Sequence, residues 1–257
     1  SLGLDETPDF LSIGLSSMDL IIHSYGPFSQ EAMDACIKLD TYLGDFIEFL
    51  DDHVGLDNVL FALTADHGGL PLPEYLVAKG QKAGRINHDH FEEALTWIDE
   101  ESEERFGKKL YHRDGGNFFL KKEKIKDSNI KLESIYKIIS KYLTKVDGIE
   151  RMVIKEDLIV GKDSTKINLR LRNMIHPDLT PEVCPILSPN YLYKGPLGTS
   201  HGSPYDYDTH VPMIFSRKGF RAKKESKPFA TVDIAPTIAK YLHVDIPEYC
   251  DGKGSDL

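Results

Sequence analysis

The order of apolar and amphipathic segments near the start of the chain constrains its fold more than any other feature. Residues 10–15 form a short apolar run that predicts a buried strand. Residues 31–52 carry apolar side chains at helical spacing, and Ser29 before them predicts the helix N-cap. Residues 58–64 form a second apolar run. Strand, helix and strand in succession predict an α/β fold with a mostly parallel sheet.

The middle of the chain has a different pattern. Helices are predicted over residues 90–105 and 132–143, and short strands over residues 117–120, 150–154, 166–170, 184–187 and 191–193. The α/β pattern of the first part of the chain then returns, with a strand over residues 211–216 and a helix that Thr231 caps. The 257 residues are therefore predicted to comprise core α/β structure over 1–72, an inserted α+β cap over 73–194 and a return to the core over 195–257.

Five acidic and histidine side chains form a candidate metal site. Asp66 and His67 directly follow the second apolar run, where open α/β sheets gather their ligands. Asp19 and His23 follow the first run, and His201 lies in a glycine-containing loop. Each motif alone is also typical of a surface pair or a helix cap, but their joint occurrence favours ligands. Three imidazoles and two carboxylates suit zinc, and they are close to the set that two ions need.

Composition excludes several classes of function. The formal net charge of −10 and the lack of a long Lys/Arg cluster argue against binding to a nucleic-acid backbone. No segment approaches the roughly 20 apolar residues of a membrane span. Cys36, Cys184 and Cys250 lie far apart and form no Cys-x-x-Cys pair, so they predict neither a zinc ribbon nor a thioredoxin-type site.

The order Asp-x-x-x-His, Asp-His-Gly and Gly-x-x-His-Gly resembles the alkaline phosphatase superfamily of two-metal hydrolases. The similarity is to the bacterial alkaline phosphatases that resemble nucleotide pyrophosphatase/phosphodiesterases. The stretches that carry it are residues 16–19 with His23, 26–27, 64–68, 198–213 and 232–237. Ile22 departs from the family, which usually has glycine there. The resemblance implies an α/β/α sandwich with an inserted cap.

The resemblance also implies the role of each ligand. Asp19, His23 and His201 would hold one zinc ion. Asp66 and His67 would hold a second, together with an aspartate from an earlier strand. That aspartate, the N-terminal strands and the Ser or Thr nucleophile would all precede residue 1. No catalytic residue is therefore expected within the chain, which is expected to be an inactive fragment of a periplasmic or secreted enzyme.

Three functions stay open on the sequence. The first is hydrolysis of phosphate monoesters, with a small phosphate ester as the partner. The second is a phosphodiesterase or nucleotide pyrophosphatase on the same two-metal scaffold. The third is a non-catalytic metal-binding domain. An exposed parallel sheet edge would in addition favour self-association of the chain.

Overall fold

The structure, a computed structural model, describes residues 2–126, 130–161, 163–193 and 195–257. Their contacts divide the chain into two compact units. The first unit consists of Ser1–Ile22, Phe28–Gly68 and His210–Leu257, and the second of His23–Pro27 and Gly69–Thr209. The division into 1–72, 73–194 and 195–257 stays a prediction, and its boundary at residue 194 lies outside the described residues.

The described elements alternate between helices and short strands. The helices are α1 (Ser17–Tyr25), α2 (Gln30–His53), α3 (Pro73–Ala78), α4 (His88–Phe106), α5 (Lys122–Lys126), α6 (Leu132–Leu143), α7 (Lys155–Val160), α8 (Lys166–Asn173), α9 (Asp206–Thr209) and α10 (Ile234–Tyr241). The strands are β1 (Phe61–Thr64), β2 (Gly84–Arg85), β3 (Tyr111–Asp114), β4 (Asn117–Leu120), β5 (Ile149–Ile154), β6 (Val183–Leu187), β7 (Tyr191–Leu192) and β8 (Met213–Ser216). None of the described helices combines the length and the apolar character that a membrane span requires.

The predicted strand over residues 10–15 is wrong. These residues have no regular structure, and Phe10 is 72% exposed. An apolar run becomes a buried strand only when neighbours pair with its edges and cover its faces, and no described strand pairs with this segment. Helix α1 follows it. Asp19 lies in the first turn of α1 and His23 in the last, which suits the helix dipole.

The first unit is built on helix α2 and a two-stranded sheet. Ser29 Oγ accepts a hydrogen bond from the Ala32 N–H at 3.1 Å, which confirms the predicted N-cap. Strands β1 and β8 pair antiparallel, with Leu63 opposite Ile214. A parallel pair was expected because residues 10–15, α2 and β1 were read as a crossover unit. Since residues 10–15 form no strand, that unit does not exist among the described residues.

The C-terminal helix begins later than predicted. Residues Thr231–Asp233 form a 3-10 turn, and α10 starts at Ile234. Asp233, rather than Thr231, supplies the acceptors: its carboxylate accepts from the Ala230 N–H at 2.9 Å and from the Lys253 N–H at 2.7 Å. The Asp233 side chain makes no cap hydrogen bond to α10, so these two bonds hold the turn that precedes the helix.

The second unit has a four-stranded antiparallel sheet in the order β3-β4-β6-β5, together with helices α4 and α6. A smaller parallel pair joins β2 to β7. The core side chains that are fully excluded from solvent are Leu95, Ile98, Leu110, Phe118, Ile135, Ile138, Ile139, Leu143 and Val183. The predicted helix over 132–143 matches α6, and the predicted strand over 117–120 matches β4.

The predicted strand over residues 166–170 is wrong, because this segment begins helix α8. Thr165 Oγ1 accepts a hydrogen bond from the Asn168 N–H at 3.4 Å and so caps the helix. The alternating apolar side chains that suggested a strand, Ile167, Leu169 and Leu171, are also compatible with a short helix once the cap is in place.

A buried ion pair lies beside the sheet of the second unit. The ammonium of Lys155 lies 3.0 Å from the Glu182 carboxylate and donates to the Thr180 carbonyl at 2.8 Å. Glu182 also accepts from the Leu120 N–H at 2.9 Å and pairs with Lys122 at 3.0 Å. Burial alone would raise the pKa of Glu182, but these hydrogen bonds outweigh it and hold the pKa below its ordinary value.

Candidate metal centre

His23 and His201 face each other within the second unit. Their Nε2 atoms lie 3.2 Å apart, and their ring centroids lie 4.9 Å apart. Two nitrogen ligands of a tetrahedral zinc ion, each at its usual bond length, are separated by about 3.3 Å. The spacing of the two imidazoles therefore fits a pair of ligands on one ion.

Thr199 fixes the orientation of His23. The Thr199 N–H donates to the His23 carbonyl at 2.9 Å, and the Thr199 carbonyl lies 2.9 Å from His23 Nδ1. Because a carbonyl only accepts, Nδ1 carries the proton and Nε2 keeps a lone pair. This is the tautomer that a metal ligand needs when it coordinates through Nε2.

Thr199 is itself anchored on both sides. Its side chain is fully buried, and its Oγ1 donates to the Leu70 carbonyl at 2.7 Å. The Leu70 N–H in turn donates to the Ser200 carbonyl at 3.3 Å. The stretch that leads to His201 is thus held by main-chain and side-chain bonds before the histidine is reached.

Helix α1 carries Asp19 and His23 one turn apart, so both side chains project from the same face. Together with His201, which faces His23, this pair gives a candidate set of one carboxylate and two imidazoles. Two imidazoles and a carboxylate are a donor set typical of zinc sites that leave a further position for a substrate. The residues present therefore fit the ion that the sequence implied.

Asp66 and His67 follow the end of β1, as the sequence predicted. His67 Nε2 lies 3.9 Å from an Asp19 oxygen and 3.6 Å from an Asp66 oxygen. The Asp66 side chain is 87% exposed, so its carboxylate is accessible to an incoming cation. Asp19 is thus near both His67 and His23. The assignment of all five side chains as metal ligands stays a prediction.

Two residues outside the candidate ligand set shape the loop around His201. Asp208 is buried, and its Oδ2 accepts from the Ser203 N–H at 2.8 Å and from the Ser203 hydroxyl at 2.6 Å. Arg85 donates to the Gly195 and Gly198 carbonyls, at 2.8 Å each. A buried aspartate seven residues after a candidate ligand was a usable signal, whereas nothing in the sequence linked Arg85 to residues 195–198.

Gly202, directly after His201, has a φ of 103°. This left-handed conformation is open to glycine and strained for other residues. The glycine of the Gly-x-x-His-Gly motif is therefore required by the turn that follows the histidine.

Relatives with sequence similarity align along almost the whole chain. The chain is 26% identical over 255 residues to alkaline phosphatase PafA of Elizabethkingia meningoseptica, covering 98% of this chain and 46% of that protein. It is 29% identical over 252 residues to alkaline phosphatase PhoV of Synechococcus elongatus, covering 98% of this chain and 45% of that protein. It is 29% identical over 272 residues to alkaline phosphatase PhoK of a Sphingomonas species, covering all of this chain and 48% of that protein. The chain thus spans about half the length of these relatives.

A crystal structure of wild-type PafA matches the fold with a TM-score of 0.85 and 26% identity, covering 98% of this chain and 48% of that one. The predicted alkaline phosphatase-like α/β fold is therefore confirmed. A sequence model of the type I phosphodiesterase / nucleotide pyrophosphatase family matches residues 2–198, which is most of the chain. The chain therefore belongs to the type I phosphodiesterase / nucleotide pyrophosphatase family, within the alkaline phosphatase superfamily.

Proposed function

We propose that this chain forms part of a metal-dependent phosphoric ester hydrolase that acts on phosphate monoesters. The observation that carries the proposal is the approach of His23 and His201, whose Nε2 atoms lie 3.2 Å apart, with Asp19 one turn before His23 on helix α1. The names of PafA, PhoV and PhoK, all alkaline phosphatases, support hydrolysis of phosphoric esters. Because the chain covers under half of each relative, the activity is proposed for a protein of their length.

The ligands divide into two groups. We assign Asp19, His23 and His201 to one zinc ion, and Asp66 and His67 to a second. When bound, such ions neutralise charge on the phosphoryl oxygens and on the attacking and leaving oxygens. The protein's own contribution is to present His23 Nε2 with its lone pair available, because Nδ1 donates to the Thr199 carbonyl, and to supply the carboxylate charge that attracts a cation.

We further propose that residues 1–257 alone do not turn over a phosphate ester. The resemblance assigns the nucleophile and one further aspartate ligand to a part of the protein outside this chain. Purified chain loaded with zinc is expected to leave p-nitrophenyl phosphate unchanged. Hydrolysis that disappears in His201→Ala would contradict this.

The alternative is a phosphodiesterase or nucleotide pyrophosphatase, and the family match over residues 2–198 favours it. The two activities separate when the full-length parent protein is tested on p-nitrophenyl phosphate and on bis-p-nitrophenyl phosphate. A faster reaction with the monoester supports the first proposal, and a faster reaction with the diester supports the alternative. Zinc binding without either reaction would indicate a non-catalytic metal-binding domain.

Zinc binding by the chain itself tests the candidate centre directly. We expect His201→Ala to weaken zinc binding, measured by isothermal titration calorimetry on metal-free protein, by more than about tenfold, because it removes a direct ligand. His90→Ala, at an exposed histidine of α4, is the matched control and is expected to bind like the unaltered chain. Equal affinity in His201→Ala and His90→Ala would remove His201 from the ligand set.

The remaining proposals concern location and partners. We propose that the parent protein acts in the periplasm or outside the cell and that its substrate is a small phosphate ester, which the resemblance to alkaline phosphatases supports. The acidic net charge of −10 of the chain disfavours binding of these 257 residues to a nucleic-acid backbone. We also propose that the chain self-associates through the exposed apolar surface of the first unit.

A further inference from the structure

Arg85 makes four hydrogen bonds with its guanidinium group. Two go to the Glu74 carboxylate, from Nε to Oε1 at 2.7 Å and from Nη2 to Oε2 at 2.9 Å. The other two go to the carbonyls of Gly195 and Gly198. The Arg85 side chain is only 15% exposed, so water competes weakly for these donors. The Arg85 hydrogen bond also holds the pKa of Glu74 below its ordinary value, so the carboxylate is charged at neutral pH.

The two carbonyls lie just before the stretch that orients the candidate ligands. Gly198 has a φ of 73°, a left-handed conformation that turns the chain immediately before Thr199. Thr199 exchanges main-chain and ring hydrogen bonds with His23, and His201 follows two residues later. Glycines restrict the backbone least, so a bond to the Gly198 carbonyl supplies the restraint that the sequence itself lacks.

We propose that Arg85 and Glu74 are positioning residues for the candidate metal centre. Glu74 orients the guanidinium, the guanidinium holds the main chain at Gly198, and this fixes how Thr199 and His201 meet His23. The proposal rests on the proposed role of His23 and His201 as ligands. The guanidinium of Arg85 donates to a carboxylate and two carbonyls at once, which the single ammonium of a lysine does not reproduce.

The test compares four variants of the 257-residue chain. Arg85→Gln removes the guanidinium group, and Arg85→Lys keeps only its positive charge. Glu74→Gln keeps a hydrogen-bond acceptor but removes the ion pair. Arg172→Gln is the matched control, because Arg172 also donates to two main-chain carbonyls, those of Leu158 and Asp163 at 2.8 Å and 3.2 Å, at a place without candidate ligands. Two quantities are measured on each: the hydrogen exchange rate of the Thr199 amide, and the affinity for zinc by calorimetry.

We expect Arg85→Gln to speed exchange at Thr199 by about fivefold, the effect of losing one typical hydrogen bond. Zinc affinity should fall by about tenfold, as for other residues that orient metal ligands. Arg85→Lys should resemble Arg85→Gln, Glu74→Gln should shift both quantities in the same direction by less, and Arg172→Gln should shift neither. A folded Arg85→Gln with unchanged exchange and unchanged zinc affinity overturns the proposal, as does an equal effect of Arg172→Gln.

The two readouts separate this proposal from the proposed function. If the unaltered chain binds no zinc, the ligand assignment fails, and the exchange rate at Thr199 alone decides whether Arg85 holds the loop. If Arg85→Gln does not fold, Glu74→Gln decides in the same way. Faster exchange at Thr199 in Glu74→Gln than in Arg172→Gln then supports the proposal, and equal rates overturn it.

Discussion

The main chain of Thr199 orients the His23 ring. The Thr199 N–H and carbonyl bond to the carbonyl and the Nδ1 of the same histidine, both at 2.9 Å. Metal-bound histidines in proteins usually have such a partner on the second nitrogen, and a carbonyl partner fixes the tautomer. Substitutions around His23 are therefore tolerated as long as the course of the backbone at Thr199 is kept.

Glu182 is the residue for which the structure makes the clearest pH prediction. The pKa of Glu182 is lower in the folded state than in the unfolded state. At pH values between these two pKa values, the folded state therefore binds fewer protons than the unfolded state. The stabilisation is complete above the unfolded pKa of about 4.3 and is lost as the pH falls through the folded value.

We expect Glu182→Gln to lower the free energy of unfolding by about 3 kcal/mol at neutral pH, because it leaves the buried Lys155 ammonium without a charge partner. The loss relative to the unaltered chain should shrink at pH values well below the ordinary glutamate pKa. Urea denaturation of both proteins across that range measures the difference. A constant difference at all pH values would show that the charge of Glu182 is not what stabilises the pair.

Candidate ligands could be selected from the sequence, and their assignment stays a prediction, but the residues that support them could not be selected. Asp66 and His67 follow an apolar run and His201 lies in a glycine-containing loop, so the joint occurrence of these motifs selected them. Thr199 and Arg85 act through main-chain atoms of residues far away in sequence. Such contacts depend on tertiary structure and leave no local signature.

At the scale of elements, prediction succeeded where one physical signal dominated. Helix α6 has apolar side chains that recur at helical spacing and pack into the core, so both of its ends were predicted correctly. The strand predictions for residues 10–15 and 166–170 were wrong, because a short apolar or alternating run does not distinguish a strand from a helix or from coil. Their outcome depends on pairing partners in the first case and on the Thr165 cap in the second.

The N-cap of α2 gives a prediction at this scale. Ser29→Ala removes the acceptor for the Ala32 N–H and should destabilise the protein by about 1 kcal/mol. Urea denaturation followed by the helical circular dichroism signal measures this. Ser226→Ala, at an exposed serine outside any helix, is the control and should leave stability unchanged. A Ser29→Ala variant as stable as this control would show that the cap contributes nothing.

At the scale of the whole molecule, the two units differ in how far their apolar side chains are buried. Among the described residues, the clusters of buried apolar side chains belong to the second unit. The first unit exposes many large apolar side chains, including Phe10, Leu11, Ile13, Met33, Ile37, Tyr42, Phe49, Leu63 and Ile214. Exposed apolar surface favours association, and we propose that copies of the isolated 257-residue chain associate through it.

The sheet of the first unit is where that contact is expected. Leu63 and Ile214 lie opposite each other and are 46% and 49% exposed, and neither β1 nor β8 has a second neighbour among the described strands. Ile214→Lys should therefore shift the chain towards monomer, because a charged side chain on an exposed strand disfavours its pairing with a second copy. Light scattering after gel filtration at several concentrations measures the mass.

Ile159→Lys, at a similarly exposed apolar residue of the second unit, is the control and should associate like the unaltered chain. A chain that is monomeric at every concentration without any substitution would rule out self-association.

The placement of Asp19 and His23 on one turn of α1 has a consequence for how this sequence can change through descent. A single-residue insertion or deletion between them would swing the imidazole by about 100° around the helix axis and abolish the shared face. Exchanges at residues 20–22 only need to keep the helix, and Ile22, mid-helix in place of the family's glycine, meets that condition. Length across this interval should thus be invariant in lineages that retain the centre, while the residue types inside it drift.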